Sequence, residues 1–128
     1  MSYYLARSVN APFDDVVTRL TKALKDEGFG VLTDIDVSAT IKAKLGKEFR
    51  NYRILGACNP ALAYQALSAE DKIGVMLPCN VIVQDLPDGG VEIAAVDPAQ
   101  AMARVGNPDL RELAEAVRHK LAAAVAAA

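Results

Sequence analysis

The sequence predicts an α+β fold, a two-layer α/β sandwich in which helices pack on a mainly antiparallel or mixed sheet. Three observations carry this. Several short runs alternate apolar and polar residues with period two, which gives strands one dry and one wet face. Other stretches place apolar residues three and four apart, as helices do when they rest one side on a core. Asp88-Gly89-Gly90 separates two consecutive strand-like runs and so marks an antiparallel hairpin. With 128 residues, no linker and no internal repeat, the chain reads as one domain over 1–128.

Ser2 to Val9 opens as a strand, and Asn10-Ala11-Pro12 starts a helix. In that helix Phe13, Val16, Val17, Leu20 and Leu24 share one stripe, Asp14 and Asp15 suit the positive N-terminal end, and Gly28 supplies the stop. From Phe29 the period becomes two: Phe29, Val31, Thr33, Ile35 and Val37 point one way, Gly30, Leu32, Asp34 and Asp36 the other. Ser38 is placed to cap a short helix carrying Ile41 and Leu45 up to Gly46. Tyr52 to Cys58 reads as a strand running into Asn59-Pro60, an N-cap followed by proline at the first helical position. The helix beyond holds Leu62, Ala63, Ala66 and Leu67 on its apolar side.

Ile73 to Gln84 reads as a long strand interrupted at Pro78, which has no N–H to give a ladder. Val91, Ile93 and Ala95 form the return of the hairpin. Asp97-Pro98 opens a short helix ending near Gly106, and Asn107-Pro108 caps the last one, where Leu110, Leu113, Val117, Leu121 and Val125 make a stripe. From Ala122 an alanine-rich tail extends that helix or frays.

Twenty-three alanines make up much of the 52% apolar content, so the core is fine-grained. A net charge of −2 argues against a wholly electrostatic nucleic-acid or membrane binder. A single histidine excludes a metal site built on two or three imidazoles within one chain. No stretch reaches the roughly 18 uninterrupted apolar residues of a membrane span, and the N-terminus has no basic-then-apolar export pattern. The expectation is a soluble cytoplasmic protein whose two cysteines stay reduced.

The distinctive pieces are Gly56-Ala57-Cys58-Asn59-Pro60 and Leu77-Pro78-Cys79-Asn80-Val81. Each cysteine precedes an asparagine and lies near a proline. Cys58 stands one residue before a helix cap, where unpaired N–H groups favour a thiolate, so it is a candidate nucleophile, redox thiol or soft-metal ligand, with Cys79 as partner. The candidate pocket is therefore Cys58, Asn59, Pro60, Pro78, Cys79 and Asn80. The alternative is that both cysteines are small buried hydrophobes and the asparagines ordinary cap and turn residues.

Tyr52-Arg53-Ile54-Leu55-Gly56-Ala57-Cys58-Asn59-Pro60, the helix after it, and Ile73 to Val83 resemble the signature blocks of the bacterial and archaeal family catalogued as domain of unknown function 302. Gly28 to Leu32 with the helix before it is also similar, so the resemblance runs from about Tyr4 to Val96. It implies a two-layer α/β domain, often a homodimer, with both Cys-Asn positions in the family motif and no particular reaction attached.

Lys42, Lys44, Lys47, Arg50 and Arg53 against Glu48 leave +4 over residues 42–53, and Phe49 and Tyr52 interleave with them. This is a candidate anion patch, or else a solvated face. His119, between Arg118 and Lys120 towards the end of the last helix, reads as a surface residue at the negative pole of the helix. Met76 and Met102 are thioethers that could join the thiolates around Cu(I), or core residues. Asp34 and Asp36 share a strand face, either as an acid/base or cation pair or as a wet side.

Two functions follow. The first is a binding or thiol-redox module around Cys58 and Cys79, taking a small molecule or a soft metal. The second is a non-catalytic homodimeric interaction module in which the cysteines only pack. Binding is preferred to catalysis because no general base is evident beside either thiol, although a thiol activated by a helix terminus alone leaves an enzyme open.

Overall fold

The computed structural model describes residues 2–128. The elements are β1 (Tyr4–Val9), α1 (Phe13–Asp26), β2 (Gly30–Asp36), α2 (Val37–Leu45), β3 (Tyr52–Cys58), α3 (Pro60–Ala69), a 3₁₀ turn (Ile73–Met76), β4 (Cys79–Asp85), β5 (Val91–Val96), α4 (Pro98–Ala103), a second 3₁₀ turn (Pro108–Leu110) and α5 (Arg111–Ala127). The five strands form one sheet in the order β1-β5-β4-β3-β2, and every neighbouring pair is antiparallel. The α+β sandwich expected from the period pattern is what forms.

One face of the sheet carries the main core. Leu55 and Ala57 of β3, Val81 and Val83 of β4, and Ile93 and Ala95 of β5 meet Val16, Leu20 and Leu24 of α1 and Val117, Leu121 and Ala124 of α5. Small residues on α5 let it lie close to both α1 and the sheet. Ala66, Ile73, Met102, Leu110 and Ala114 form a second, smaller cluster that ties α3, α4 and α5 together. Asp97, buried at 5% exposure, holds this region: its carboxylate accepts from Ala99 N and Gln100 N at the start of α4 and from Arg118 Nε at 3.0 Å.

Among the described residues, the opposite face is bare of buried core side chains. Its residues fall into cross-strand rows: Ser8, Glu92, Gln84 and Tyr52; then Ala6, Ala94, Ile82, Ile54 and Ile35; then Tyr4 with Val96, and Asn80 with Gly56 and Thr33. The middle row is apolar throughout.

Several local expectations are corrected. Ile73 to Gln84 is not one strand. Residues 73–76 form a 3₁₀ turn closed by Ile73 N to Glu70 O, Val75 N to Lys72 O and Leu77 N to Gly74 O, so their polar groups are paired locally and the ladder begins only after Pro78. The Leu77-Pro78 peptide bond is cis. A bulge between Val31 and Thr33 reverses the alternation in β2: Val31 pairs with Ala57 on the helix side, whereas Thr33 and Ile35 pair with Gly56 and Ile54 on the bare side.

Asp36, not Ser38, caps α2, accepting from Ala39 N at 2.9 Å. Ser38 instead donates to Phe49 O. Asn107 caps the second 3₁₀ turn rather than α5 itself. The alanine tail continues α5 to Ala127, so His119 sits in mid-helix, away from the terminal dipole. Arg7 and Arg19 donate to Ala128 O at 2.8 and 3.1 Å, and Arg7 also to Val125 O, which pins this end of the chain.

Candidate functional site

The site forms where β3 leaves the sheet. Leu55, Gly56 and Ala57 are buried in the ladder; Cys58 ends the strand and Asn59 turns the chain into α3, its Oδ1 accepting from Leu62 N at 3.2 Å. Pro60 occupies the first helical position, where a missing N–H costs nothing. Asn59 also lies against Gly28, whose positive φ of 87° ends the loop after α1; a side chain there would meet Asn59 Nδ2 at 3.0 Å. β4 begins at Cys79, directly opposite Ala57, so the two cysteines are one residue out of register on adjacent strands.

Both cysteines line one cavity of about 300 Å³. Phe29 and Leu32 approach it from β2, Leu62, Ala66 and Leu67 from α3, Leu77 and Pro78 from the connection before β4, Met102 from α4, and Leu113 and Val117 from α5. Among the described residues of the lining Asn59 is the only amide side chain, and there is no histidine, carboxylate or cation. Cys58 is half-buried and Cys79 buried, and both are free thiols. Burial pushes the Cys79 thiol up to about 11, and the neighbouring Cys58 adds to the rise.

The six residues of the candidate pocket are thus divided. Cys58, Asn59, Pro78 and Cys79 come together; Pro60 and Asn80 do not join them. Asn80 follows Cys79 on a strand, so its side chain points to the other face, where it lines a broader basin of about 620 Å³ with Tyr3, Tyr4, Tyr52, Ile82 and Pro78. Pro78 borders both spaces.

The profile of the family described as "Domain of unknown function DUF302" matches residues 5–128. The chain belongs to this family. A solved structure with the same architecture is the "Crystal structure of uncharacterized conserved protein DUF302 from Bacillus stearothermophilus": it is 29% identical, 98% of each chain is covered, and the TM-score is 0.92. No curated protein matches the sequence.

In this DUF302 chain the five basic residues do not converge on one point. Lys42 pairs with Glu48, and Arg53 forms a two-pronged contact with Asp34, with Nε to Oδ1 at 2.7 Å. Arg50 donates to Gln84 Oε1 and lies over the rings of Phe49 and Tyr52, 4.4 and 5.5 Å from their centres. Lys44 and Lys47 are exposed. Asp34 and Asp36 do share a side of β2, but Arg53 occupies Asp34 and holds its carboxyl below the usual range through hydrogen bonding and charge. His119 is exposed and apart from the cavity.

Met76 lines the basin, whereas Met102 lines the cavity with both cysteines. Leu113, Val117 and Phe29 were readable as core positions from their spacing, but not as cavity walls, because that depends on how α4 and α5 fold back onto α3. No helix among the described residues is long and apolar enough to cross a membrane.

Proposed function

We propose that residues 2–128 act as one small-ligand binding domain whose site is the cavity around Cys58 and Cys79. The observation that carries this is the composition of the cavity wall: hydrocarbon on nearly every side, with one amide, two thiols and one thioether in it. Small-molecule sites have this character, and the volume lies at the low end of their usual range of about 300–1,000 Å³. Binding is favoured over thiol chemistry because the Cys79 thiol keeps its proton at neutral pH and no lining side chain is a general base. The ligand class is a compact apolar or thiophilic species.

The test is a titration of the native protein with the neutral fluorophore 1-aminoanthracene, with iodoacetamide labelling of Cys58 followed in parallel. Saturable enhancement, weakened by Leu67→Glu at the partly exposed α3 wall, and protection of Cys58 by the probe are expected. Absence of saturable binding together with unchanged labelling overturns the reading.

The bare sheet face supports a second role. Ala6, Ala94, Ile82, Ile54 and Ile35 make an apolar row across all five strands, with Ile35 at 47% exposure and Tyr4, outside the row on the same face, at 44%. Two such faces pack well against each other in an aligned sandwich, so the homodimer that the second reading needs would form here. Sedimentation should give a dimer at micromolar concentration and a folded monomer for Ile82→Arg. A monomeric native protein removes this role without touching the cavity.

A further inference from the structure

We propose that the cavity is a site for a single cuprous ion, held by the sulfurs of Cys58, Cys79 and Met102. This rests on the cavity being the binding site, and it names the ligand class.

Three sulfur-bearing side chains from three different elements line this one space: Cys58 from the end of β3, Cys79 from the start of β4 and Met102 from α4. The chain has only two cysteines and three methionines, so the fold gathers both thiols and one thioether into one small apolar volume. Cys58 and Cys79 are brought together by strand register, as Cys79 pairs with the residue just before Cys58. Cys58, the last residue of β3 and paired there with Gly30, borders the cavity just before the chain turns into α3. Met76 is on the other side of Pro78 and plays no part.

The donor set selects the metal. Among the described residues no group of three or more His, Cys, Asp or Glu side chains is assembled, so a borderline or hard divalent ion finds no ligand set in this part of the molecule. Thiolate and thioether donors suit Cu(I), and a cavity walled by hydrocarbon offers little to Cu(II), which prefers nitrogen, oxygen and water. Asn59, whose Oδ1 is engaged in the α3 cap, lines the same cavity.

On binding, the two S–H bonds release their protons to solvent and two Cu–S thiolate bonds form, with the Met102 thioether adding its lone pair. No electron is transferred.

The experiment is an anaerobic competition in which the reduced native protein is titrated against the Cu(I)-bicinchoninate complex, with X-ray absorption at the copper edge on the product. The expected result is one copper removed per chain, with sulfur as the only element bound directly to the copper. Cys58→Ser and Cys79→Ser should lose the competition, and Met102→Leu should weaken it, all with native circular dichroism. Should a serine variant unfold, native protein with iodoacetamide-blocked Cys58 serves in its place and should likewise fail to compete. No uptake by the native protein, uptake unaffected by blocking Cys58, or nitrogen and oxygen scatterers in place of sulfur would overturn the proposal. 1-Aminoanthracene binding in the same preparation separates the two ideas: probe binding without copper uptake removes only the copper site, and failure of both removes the cavity reading as well.

Discussion

The ring of Pro78 packs against the backbone of Gly56. A β-carbon built on Gly56 would lie 2.7 Å from Pro78 Cγ and 2.1 Å from Thr33 Oγ1, so the glycine is required by Thr33 of β2 and by Pro78 just before β4, and not by its own backbone angles. This contact seats the connection before β4 on the sheet, and with it the partition between the cavity and the basin.

Gly56→Ala is therefore expected to destabilise the fold by about 1–3 kcal/mol, the usual cost of overpacking a site that cannot expand freely. Urea unfolding measures it. Thr33→Ala in the same chain should recover only part of the loss, because Pro78 remains. A neutral Gly56→Ala would show that Pro78 does not rest on β3.

Cys58 and Cys79 should differ sharply towards a thiol reagent. Half-buried Cys58 is expected to react in the native state; buried Cys79 should stay unlabelled at neutral pH until the protein unfolds, as mass spectrometry of labelled peptides would record. The linkage has a definite sign. The Cys79 pKa is raised from 9.0 to about 11, so the native state holds its proton to higher pH than the unfolded chain. The associated stability is whole below pH 9 and is lost as pH rises towards 11, and Cys79→Ala should flatten that decline in alkaline unfolding curves.

The Arg53–Asp34 pair acts at the other end of the pH scale. Arg53 lowers the Asp34 pKa below its ordinary 3.8, so the pair stabilises the protein above that value and ceases to do so as pH falls through the lowered one. Both side chains are partly exposed, at 26% and 41%, which limits the effect to less than about 1 kcal/mol. Native protein and Arg53→Ala should differ by that amount at pH 7 and converge in strong acid; a difference that persists at pH 2 would locate the role of Arg53 in packing.

Arg118→Ala should cost more than its surface position implies. It leaves the 7% exposed side chain of Asp97 with only its two backbone donors in α4, and a loss of about 1–3 kcal/mol is expected from that under-satisfied carboxylate. Chemical denaturation of Arg118→Ala beside Asp97→Asn tests this, with the double variant expected to lose less than the sum of the two.

Asn59→Ala removes the α3 cap, at about 1 kcal/mol. Because Asn59 also lines the cavity, the same variant should alter 1-aminoanthracene binding; loss of stability with unchanged binding would restrict Asn59 to capping.

Much of the fold is legible in the sequence because it is written in local terms. Tyr52–Cys58 stands where its alternation put it, Asn59-Pro60 starts a helix because its side chain can take an orphan N–H, and the stripe from Phe13 to Leu24 faces the core. The misread stretches are those where local pattern competed with something non-local. Ile73–Met76 is apolar enough for a strand, yet turn bonds and the missing Pro78 N–H keep it out of the ladder. In β2 a single extra residue, Leu32, reversed the face of every residue after it, and no periodicity count reveals a bulge whose cause lies in pairing with β3.

The site divides the same way. By itself the sequence determined that Cys58 precedes a helix cap, that Cys79 follows a proline interrupting a strand-like run, and that both Cys-Asn pairs lie where strands end or break. Only the tertiary structure decided that Cys58 and Cys79 share a cavity, that Met102 and not Met76 joins them, and that Arg53 is spent on Asp34. The reason is physical: capping and alternation are set over three or four residues, whereas a cavity exists only where β3, β4 and three helices fail to close completely on one another, and that is fixed by strand register and helix packing across the whole chain.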